Sequence, residues 1–181
     1  MKKQYIIIVI LVGLTAYALY QNSIKSKTAS MPNKVEEVMP KIGYKAPDFN
    51  LKALDGNTYS LKNMEGKPVI INFWASWCGP CQTEAPELAE LYDKYKKNLE
   101  IYAVNLTFDD TEEDARAFAE KYGYHFPVLI DDSPNTASLY QVHPIPTTFF
   151  VNRKGIIVDE LVGITDKNSL EDKFKSLISN N

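Results

Sequence analysis

Two cysteines, Cys78 and Cys81, lie three positions apart, and the 181-residue chain contains no others. They follow a near-continuous apolar run, residues 69–74, that is typical of a buried strand, and they precede a stretch with helical periodicity. Unpaired N–H groups at the start of a helix stabilise negative charge, and a CxxC thiol placed there has a pKa lowered to about 3.5–7.5. We therefore expect Cys78 to be the exposed nucleophile at the helix tip and Cys81 to be the thiol that closes the disulfide.

The two residues between the cysteines, Gly79 and Pro80, suit a tight turn into a helix, because the missing N–H of proline costs little in the first turn. Other uses of the cysteine pair fit less well. Zinc would need two more ligands, and His125 and His143 have no zinc-finger spacing. Covalent haem would need a histidine where Gln82 stands, and a disulfide that closes so short a loop stabilises a fold weakly. We expect a redox pair that needs neither a metal nor a cofactor.

Glu84 is a candidate general acid–base. It follows Cys81 by three residues, so a helix places both side chains on one face. The other residues of that face are apolar or aromatic: Ala85, Leu88, Leu91, Tyr92 and Tyr95. A carboxylate there is partly desolvated, which raises its pKa and suits proton transfer. The alternative, a solvated carboxylate at the edge of the face, stays open from spacing alone.

Strands and helices alternate along residues 41–181, which predicts an α/β fold with a sheet covered by helices on both sides. The Asp55-Gly56 turn signal predicts a hairpin between the first two strands. The predicted strands are 49–52, 57–61, 69–74, 99–106, 128–130, 147–151 and 155–162. The predicted helices are 79–97, 109–122, 134–140 and a last one capped by Asp166.

Residues 1–24 form a separate N-terminal segment in which Lys2 and Lys3 precede an uncharged run. The apolar part, residues 5–20, is shorter than the ~20 residues of a full membrane span, but the whole uncharged run would reach across. Two interpretations remain: a retained membrane anchor, favoured by the length of the apolar run, or a signal peptide cleaved near Ala16-Tyr17-Ala18. Either one places the rest of the chain outside the cytoplasmic membrane.

The polar residues 25–40 are predicted to be a tether, with the folded domain at 41–181. Charge differs between the parts of the chain. Residues 1–30 carry four lysines and no acids, whereas residues 31–181 carry 16 basic and 23 acidic side chains. An acidic domain without a basic cluster is repelled by phosphate backbones, so we expect no nucleic-acid partner.

Residues 72–81, Asn-Phe-Trp-Ala-Ser-Trp-Cys-Gly-Pro-Cys, resemble the active-site segment of thioredoxins. Pro86 matches their helix-kinking proline, and Ile145-Pro146-Thr147 resembles their Ile-Pro-Thr, in which the proline is cis and faces the disulfide. The opening Gly43-x-x-Ala46-Pro47-Asp48-Phe49 and the extra segment 109–130 are similar to the membrane-anchored ResA/TlpA-type thioredoxins, within the redoxin (AhpC/TSA-like) part of the thioredoxin superfamily.

This resemblance implies a thioredoxin fold with an N-terminal β-hairpin and an αβ insertion. It implies thiol–disulfide exchange outside the membrane, for example on apocytochrome c or spore-envelope proteins, with a membrane thiol transporter of the CcdA type as electron donor. We expect a monomer. The substrate groove would comprise Trp77, Gly79, Pro80, Ile145 and Pro146, although Trp77 has packing as its alternative role. The matching glutamate of the group favours a catalytic Glu84.

Two positions depart from the family patterns. Ordinary thioredoxins bury an aspartate where this chain has Asn72, and ResA has a glutamate where this chain has Gly79. The Gly-Pro spacer still resembles that of thioredoxin, and a carboxylate at Glu84 disfavours thiolates. Both features predict a reductase.

Two rival functions fit the residues less well. A thiol peroxidase needs Pro-x-x-x-Thr/Ser-x-x-Cys, which neither cysteine completes. A non-catalytic thioredoxin-fold scaffold or chaperone would not need the complete CxxC and Ile-Pro-Thr motifs.

Overall fold

The computed structural model describes residues 13–15, 17, 19 and 37–179. The chain divides into two compact units, residues 1–36 and Glu37–Asn181. In the first unit the few described residues are helical, and the predicted anchor or signal peptide otherwise lies outside the described residues, as does most of the predicted tether. Among the described residues, no helix has both the length and the apolar character that a membrane crossing requires.

The second unit begins slightly before the predicted start at residue 41. Its strands are β1 (Asn50–Lys52), β2 (Thr58–Ser60), β3 (Val69–Trp74), β4 (Glu100–Asn105), β5 (Val128–Ile130), β6 (Thr147–Val151) and β7 (Ile157–Val162). Its α-helices are α1 (Gly79–Tyr95), α2 (Glu112–Tyr122), α3 (Asn135–Leu139) and α4 (Lys167–Ser179), with short 3₁₀ turns at Leu61–Met64 and Thr107–Asp109.

Five strands form one mixed sheet in the order β5-β4-β3-β6-β7. β3, β4 and β5 run parallel, whereas β6 and β7 are antiparallel to their neighbours. β1 and β2 form the predicted antiparallel hairpin, whose turn contains Gly56 at a φ of 86°. This arrangement confirms the predicted thioredoxin fold, with α2 and β5 as the αβ insertion.

β3 is buried along its whole length because both faces of the sheet are covered. Ile70 and Trp74 belong to a core cluster on one face together with residues of α1 and α4. Ile71 and Phe73 belong to the second cluster, with the hairpin segment and Tyr140. The central strand therefore ends in a rigid position, directly before the two cysteines.

The predicted helix 109–122 begins later than expected, at Glu112. Thr111 is the N-cap residue, and its Oγ1 accepts a hydrogen bond from the backbone N–H of Asp114 at 3.0 Å. Asp109 ends a 3₁₀ turn instead, and Asp110 lies between that turn and the helix. The acidic run had predicted that Asp109 and Asp110 lie in the first turn of the helix. Because Thr111 is the N-cap, Asp110 lies outside the helix instead, and its carboxylate can bind residues of other elements.

Candidate active site

The cysteines form a disulfide at the start of α1, with their Cα atoms 5.2 Å apart. Cys78 is the N-cap residue, and its Sγ accepts a hydrogen bond from the backbone N–H of Cys81 at 3.2 Å. Gly79 and Pro80 form the exposed first turn, as the sequence predicted. An N–H that already points at Cys78 Sγ would stabilise a thiolate there after reduction.

The expected exposure of Cys78 is wrong for the disulfide form. Cys78 is 4% exposed and Cys81 is 3% exposed, so accessibility does not distinguish the two residues. In this form Cys78 Sγ lies against the backbone N–H of Cys81 at 3.2 Å and the carbonyl oxygen of Ile145 at 3.7 Å. The distinction lies in the helix N-cap position, which only Cys78 occupies.

The loop before β6 faces the disulfide. The Ile145–Pro146 peptide bond is cis, as the resemblance implied, and the carbonyl oxygen of Ile145 lies 3.7 Å from Cys78 Sγ. No backbone hydrogen bond to Ile145 forms within residues 37–179, whereas the Pro146 carbonyl accepts one from Gly163 N–H at 2.8 Å. Ile145 therefore keeps a backbone N–H and carbonyl available beside the sulfurs.

Trp77 directly precedes Cys78 in the chain and is 56% exposed. Its Nε1–H donates to the backbone carbonyl of Asp109 at 2.8 Å, which orients the indole along the insertion. Trp74, in contrast, is 1% exposed in the core, as predicted. An oriented but exposed indole suits a groove wall more than a packing role.

Ser76, two residues before Cys78, is bound to the insertion by Asp110. The Asp110 carboxylate accepts hydrogen bonds from Ser76 N–H at 2.7 Å and from Ser76 Oγ–H at 2.6 Å. It also accepts from Asn105 Nδ2 at 2.8 Å and from Thr111 N–H at 2.9 Å. Burial alone would raise the pKa of Asp110, but these hydrogen bonds outweigh it and lower the pKa. Sequence reasoning missed this pairing, since the acidic run was assigned to a helix start.

Glu84 lies on the buried face of α1 and is 7% exposed, which decides against the solvated alternative that spacing had left open. Its Oε1 accepts a hydrogen bond from Asn72 Nδ2 at 3.0 Å, and the same amide nitrogen donates to Thr148 Oγ1 at 2.9 Å. Its Oε2 is buried and has no hydrogen-bond partner among the described residues. Among the described residues, the Glu84 carboxyl is therefore hydrogen bonded through Oε1 alone.

Burial raises the pKa of Glu84 to about 7 and the neighbouring Glu87 carboxylate raises it too, while the hydrogen bond from Asn72 acts in the opposite direction. A carboxyl with this pKa exchanges protons at neutral pH, as a general acid–base must. Asn72 and Thr148 are register partners on β3 and β6, so the sheet itself sets this contact. No signal in the sequence identified Thr148.

Among the described residues, no group of three or more His, Cys, Asp or Glu side chains is arranged to hold a metal ion. The chemistry available at the site is that of the two sulfurs, one titratable carboxyl and an open backbone segment. A thioredoxin fold with such a disulfide at a helix N-terminus defines a class of thiol–disulfide exchange proteins.

Comparisons with known proteins support this assignment to the thiol–disulfide exchange proteins. Residues 42–160 match the AhpC/TSA family, and the chain belongs to that family. It is 40% identical to the thioredoxin-like protein YneN of Bacillus subtilis over 170 residues, which are 93% of this chain and 94% of YneN. It is 38% identical to the thiol-disulfide oxidoreductase ResA of Bacillus thuringiensis over 173 residues, which are 95% of this chain and 93% of ResA.

A solved structure gives the same result: a putative thiol:disulfide interchange protein DsbE from Chlorobium tepidum has a TM-score of 0.71 and 35% identity. The match covers 77% of this chain and 99% of that one. The resemblance to ResA-type proteins is thus confirmed, and the chain is a thiol–disulfide oxidoreductase with Cys78 and Cys81 as its cysteine pair.

Proposed function

We propose that this oxidoreductase works on the outer side of the cytoplasmic membrane as a reductase of disulfides in client proteins. The observation that carries the proposal is the disulfide itself, capping α1 and facing the unpaired backbone of Ile145. An extended client segment could hydrogen bond to that backbone while its own sulfur approaches Cys78.

The reaction balances with the residues present. The Cys78 thiolate attacks one sulfur of the client disulfide, forms a mixed disulfide and releases the other client sulfur as a thiolate. Glu84 then accepts the proton of the Cys81 thiol, and the Cys81 thiolate attacks Cys78 Sγ. The second client thiol leaves, so the client gains two electrons and the Cys78–Cys81 disulfide forms.

Trp77, the Gly79-Pro80 turn, Ile145 and Pro146 would form the client groove. Trp77 is oriented by Asp109 and offers an apolar face, while Ile145 offers its backbone. A groove built from one indole and one backbone segment recognises an extended chain with little sequence preference. Apocytochrome c and spore-envelope proteins, which the resemblance suggested, are clients of this general kind.

Two features favour the reducing direction. The Gly-Pro spacer is that of thioredoxin, whose potential of about −270 mV lies far below the roughly −120 mV of the oxidant DsbA. Ionised Glu84 would disfavour a nearby thiolate and so the reduced form. A reductase outside the membrane needs a source of electrons, and a membrane dithiol transporter of the CcdA type would supply two per cycle by exchange with the Cys78–Cys81 disulfide.

Trapping tests the proposal. In a Cys81→Ser variant the mixed disulfide with Cys78 has no resolving thiol, so we expect client adducts that dithiothreitol releases and mass spectrometry identifies. The matched control, Cys78→Ser, keeps only Cys81, which does not occupy the helix N-cap, and should give few adducts. Equal adducts in both variants would contradict the assignment of Cys78 as nucleophile.

Location is tested separately. Protease added to intact protoplasts should remove the domain if an anchor in residues 1–24 holds it outside the membrane. A soluble secreted form that begins near residue 19 would favour the signal-peptide alternative. Protection of the domain in intact protoplasts would overturn both.

A further inference from the structure

The contact between Asn72 and Glu84 divides the two oxygens of the glutamate into different roles. Oε1 is bound to an N–H of Asn72 at 3.0 Å, while Oε2 is buried without a partner among the described residues. In a neutral carboxylic acid, the carbonyl oxygen is a good hydrogen-bond acceptor and the hydroxyl oxygen is a poor one. The oxygen that accepts from Asn72 is therefore the carbonyl oxygen, and the proton belongs on the other.

The position of Asn72 is itself fixed. Both N–H groups of its amide are used, one on Glu84 Oε1 and one on Thr148 Oγ1 at 2.9 Å. Asn72 is 2% exposed and lies in the middle of β3, paired in register with Thr148 on β6. The amide cannot turn without breaking two buried hydrogen bonds, and a buried donor left without a partner is destabilising.

We propose that Asn72 is a positioning residue that binds Oε1 of Glu84 and thereby makes Oε2 the oxygen that takes up and returns the proton. That the proton comes from the Cys81 thiol depends on the proposed function. An aspartate at position 72 would act differently, since it would be a second acid and would repel ionised Glu84. Asn72 instead orients the carboxyl without taking part in the proton transfer.

Within residues 37–179, few other titratable groups lie near Glu84. Glu87 lies on the same helix and disfavours ionised Glu84, and the Tyr124 phenol, from the segment after α2, has its pKa raised by burial and by Glu84. Cys81 precedes Glu84 by one helical turn. Asn72 and Thr148 are neutral, so Asn72 acts on Glu84 through hydrogen bonding and not through a full charge.

Infrared difference spectroscopy tests the proposal on the protein alone. Spectra recorded across a pH titration, with the Glu84→Gln spectra subtracted, isolate the C=O stretch of protonated Glu84. In Asn72→Leu we expect that band at higher wavenumber, because Oε1 loses its hydrogen bond, and a titration midpoint about one pH unit higher. In the control Thr148→Val, the Asn72 amide keeps its hydrogen bond to Glu84. The C=O band and the titration midpoint of Glu84 should therefore shift little.

An unchanged band in folded Asn72→Leu would mean that the proton does not sit on Oε2, and the proposal would be wrong. If Asn72→Leu fails to fold, the nearly isosteric Asn72→Asp decides. A second carboxyl at hydrogen-bond distance should then give two separated midpoints that belong to the pair. A single midpoint unchanged from the parent would again contradict the proposal. None of these readouts needs a client, so failure of the reductase function would be recognised separately by insulin reduction.

Discussion

Ser76 and Asp110 are joined by two hydrogen bonds, of 2.7 and 2.6 Å, although 34 residues separate them in the sequence. Gln82 Nε2 also donates to the Ser76 carbonyl at 2.9 Å, so the backbone before Cys78 is held from both sides. The αβ insertion therefore supports the active-site loop directly. The insertion thus has a structural role at the active-site loop that does not depend on any client.

Replacing Asp110 by asparagine should weaken this support. Four hydrogen-bond donors point at the Asp110 carboxylate, and the asparagine side chain would direct an N–H of its own at some of them. We therefore expect the free energy of unfolding, measured by urea titration, to fall by about 1–3 kcal/mol. Ser76→Ala removes a single hydrogen bond and should cost less, about 1 kcal/mol.

The loss in Asp110→Asn should depend on pH. The folded-state pKa of Asp110 is lowered, so its ionised form stabilises the fold above the unfolded pKa of about 3.9. That contribution disappears as pH falls through the folded pKa. The parent and Asp110→Asn should therefore converge in stability in strong acid, and a difference that grows there would contradict the assignment.

Glu84 should give the opposite dependence. Because its pKa is raised from 4.5 to about 7, the folded protein binds more protons than the unfolded chain between those values. The parent should lose stability as pH rises through this window, by up to about 3 kcal/mol, whereas Glu84→Gln should not. Chemical denaturation of both proteins between pH 4 and pH 8 measures this, and parallel curves would show that Glu84 titrates normally.

Alkylation of the reduced protein tests the order of the thiols. Cys78 should react first at mildly acidic pH, because the Cys81 N–H and the start of α1 stabilise its thiolate. Mass spectrometry of peptides after brief iodoacetamide treatment gives the ratio of the two labels. Faster labelling of Cys81 would reverse their roles.

Trp77→Ala tests the groove. The indole is 56% exposed, so its loss should cost the fold about 1 kcal/mol or less, while KM for a protein disulfide should rise several-fold with kcat nearly unchanged. Trp77→Phe keeps an apolar face but loses the N–H to Asp109, and its KM should lie between the two. A fall in kcat alone would place Trp77 in the chemical step instead.

Much of the fold was readable from local pattern. The near-continuous apolar run at β3, the Asp55-Gly56 turn and the proline in the first turn of α1 each act on their immediate neighbours, and each is found where expected. Helical spacing also placed Glu84 on the same side of α1 as Cys81, but it left open whether the carboxyl was buried or solvated, and the structure shows it buried.

The hydrogen bonds that surround the active site could not be predicted from the spacing of residues in the sequence. Thr148 reaches Asn72 only because β6 pairs with β3 across 76 residues, and Asp110 reaches Ser76 only because Thr111 delays the start of α2. The burial of Cys78 was missed for a related reason, since the loop at Ile145 covers a sulfur that an isolated helix tip would expose.

The central claim, that Cys78 and Cys81 form a reducing dithiol, is tested most directly by the reduction potential. The protein is equilibrated in dithiothreitol or glutathione redox buffers, and the reduced fraction is counted by alkylation and mass spectrometry. We predict a value close to the roughly −270 mV of thioredoxin, rising in Glu84→Gln as the thiolates become easier to form. A value close to the roughly −120 mV of DsbA would contradict the account and make this protein an oxidant that introduces disulfides.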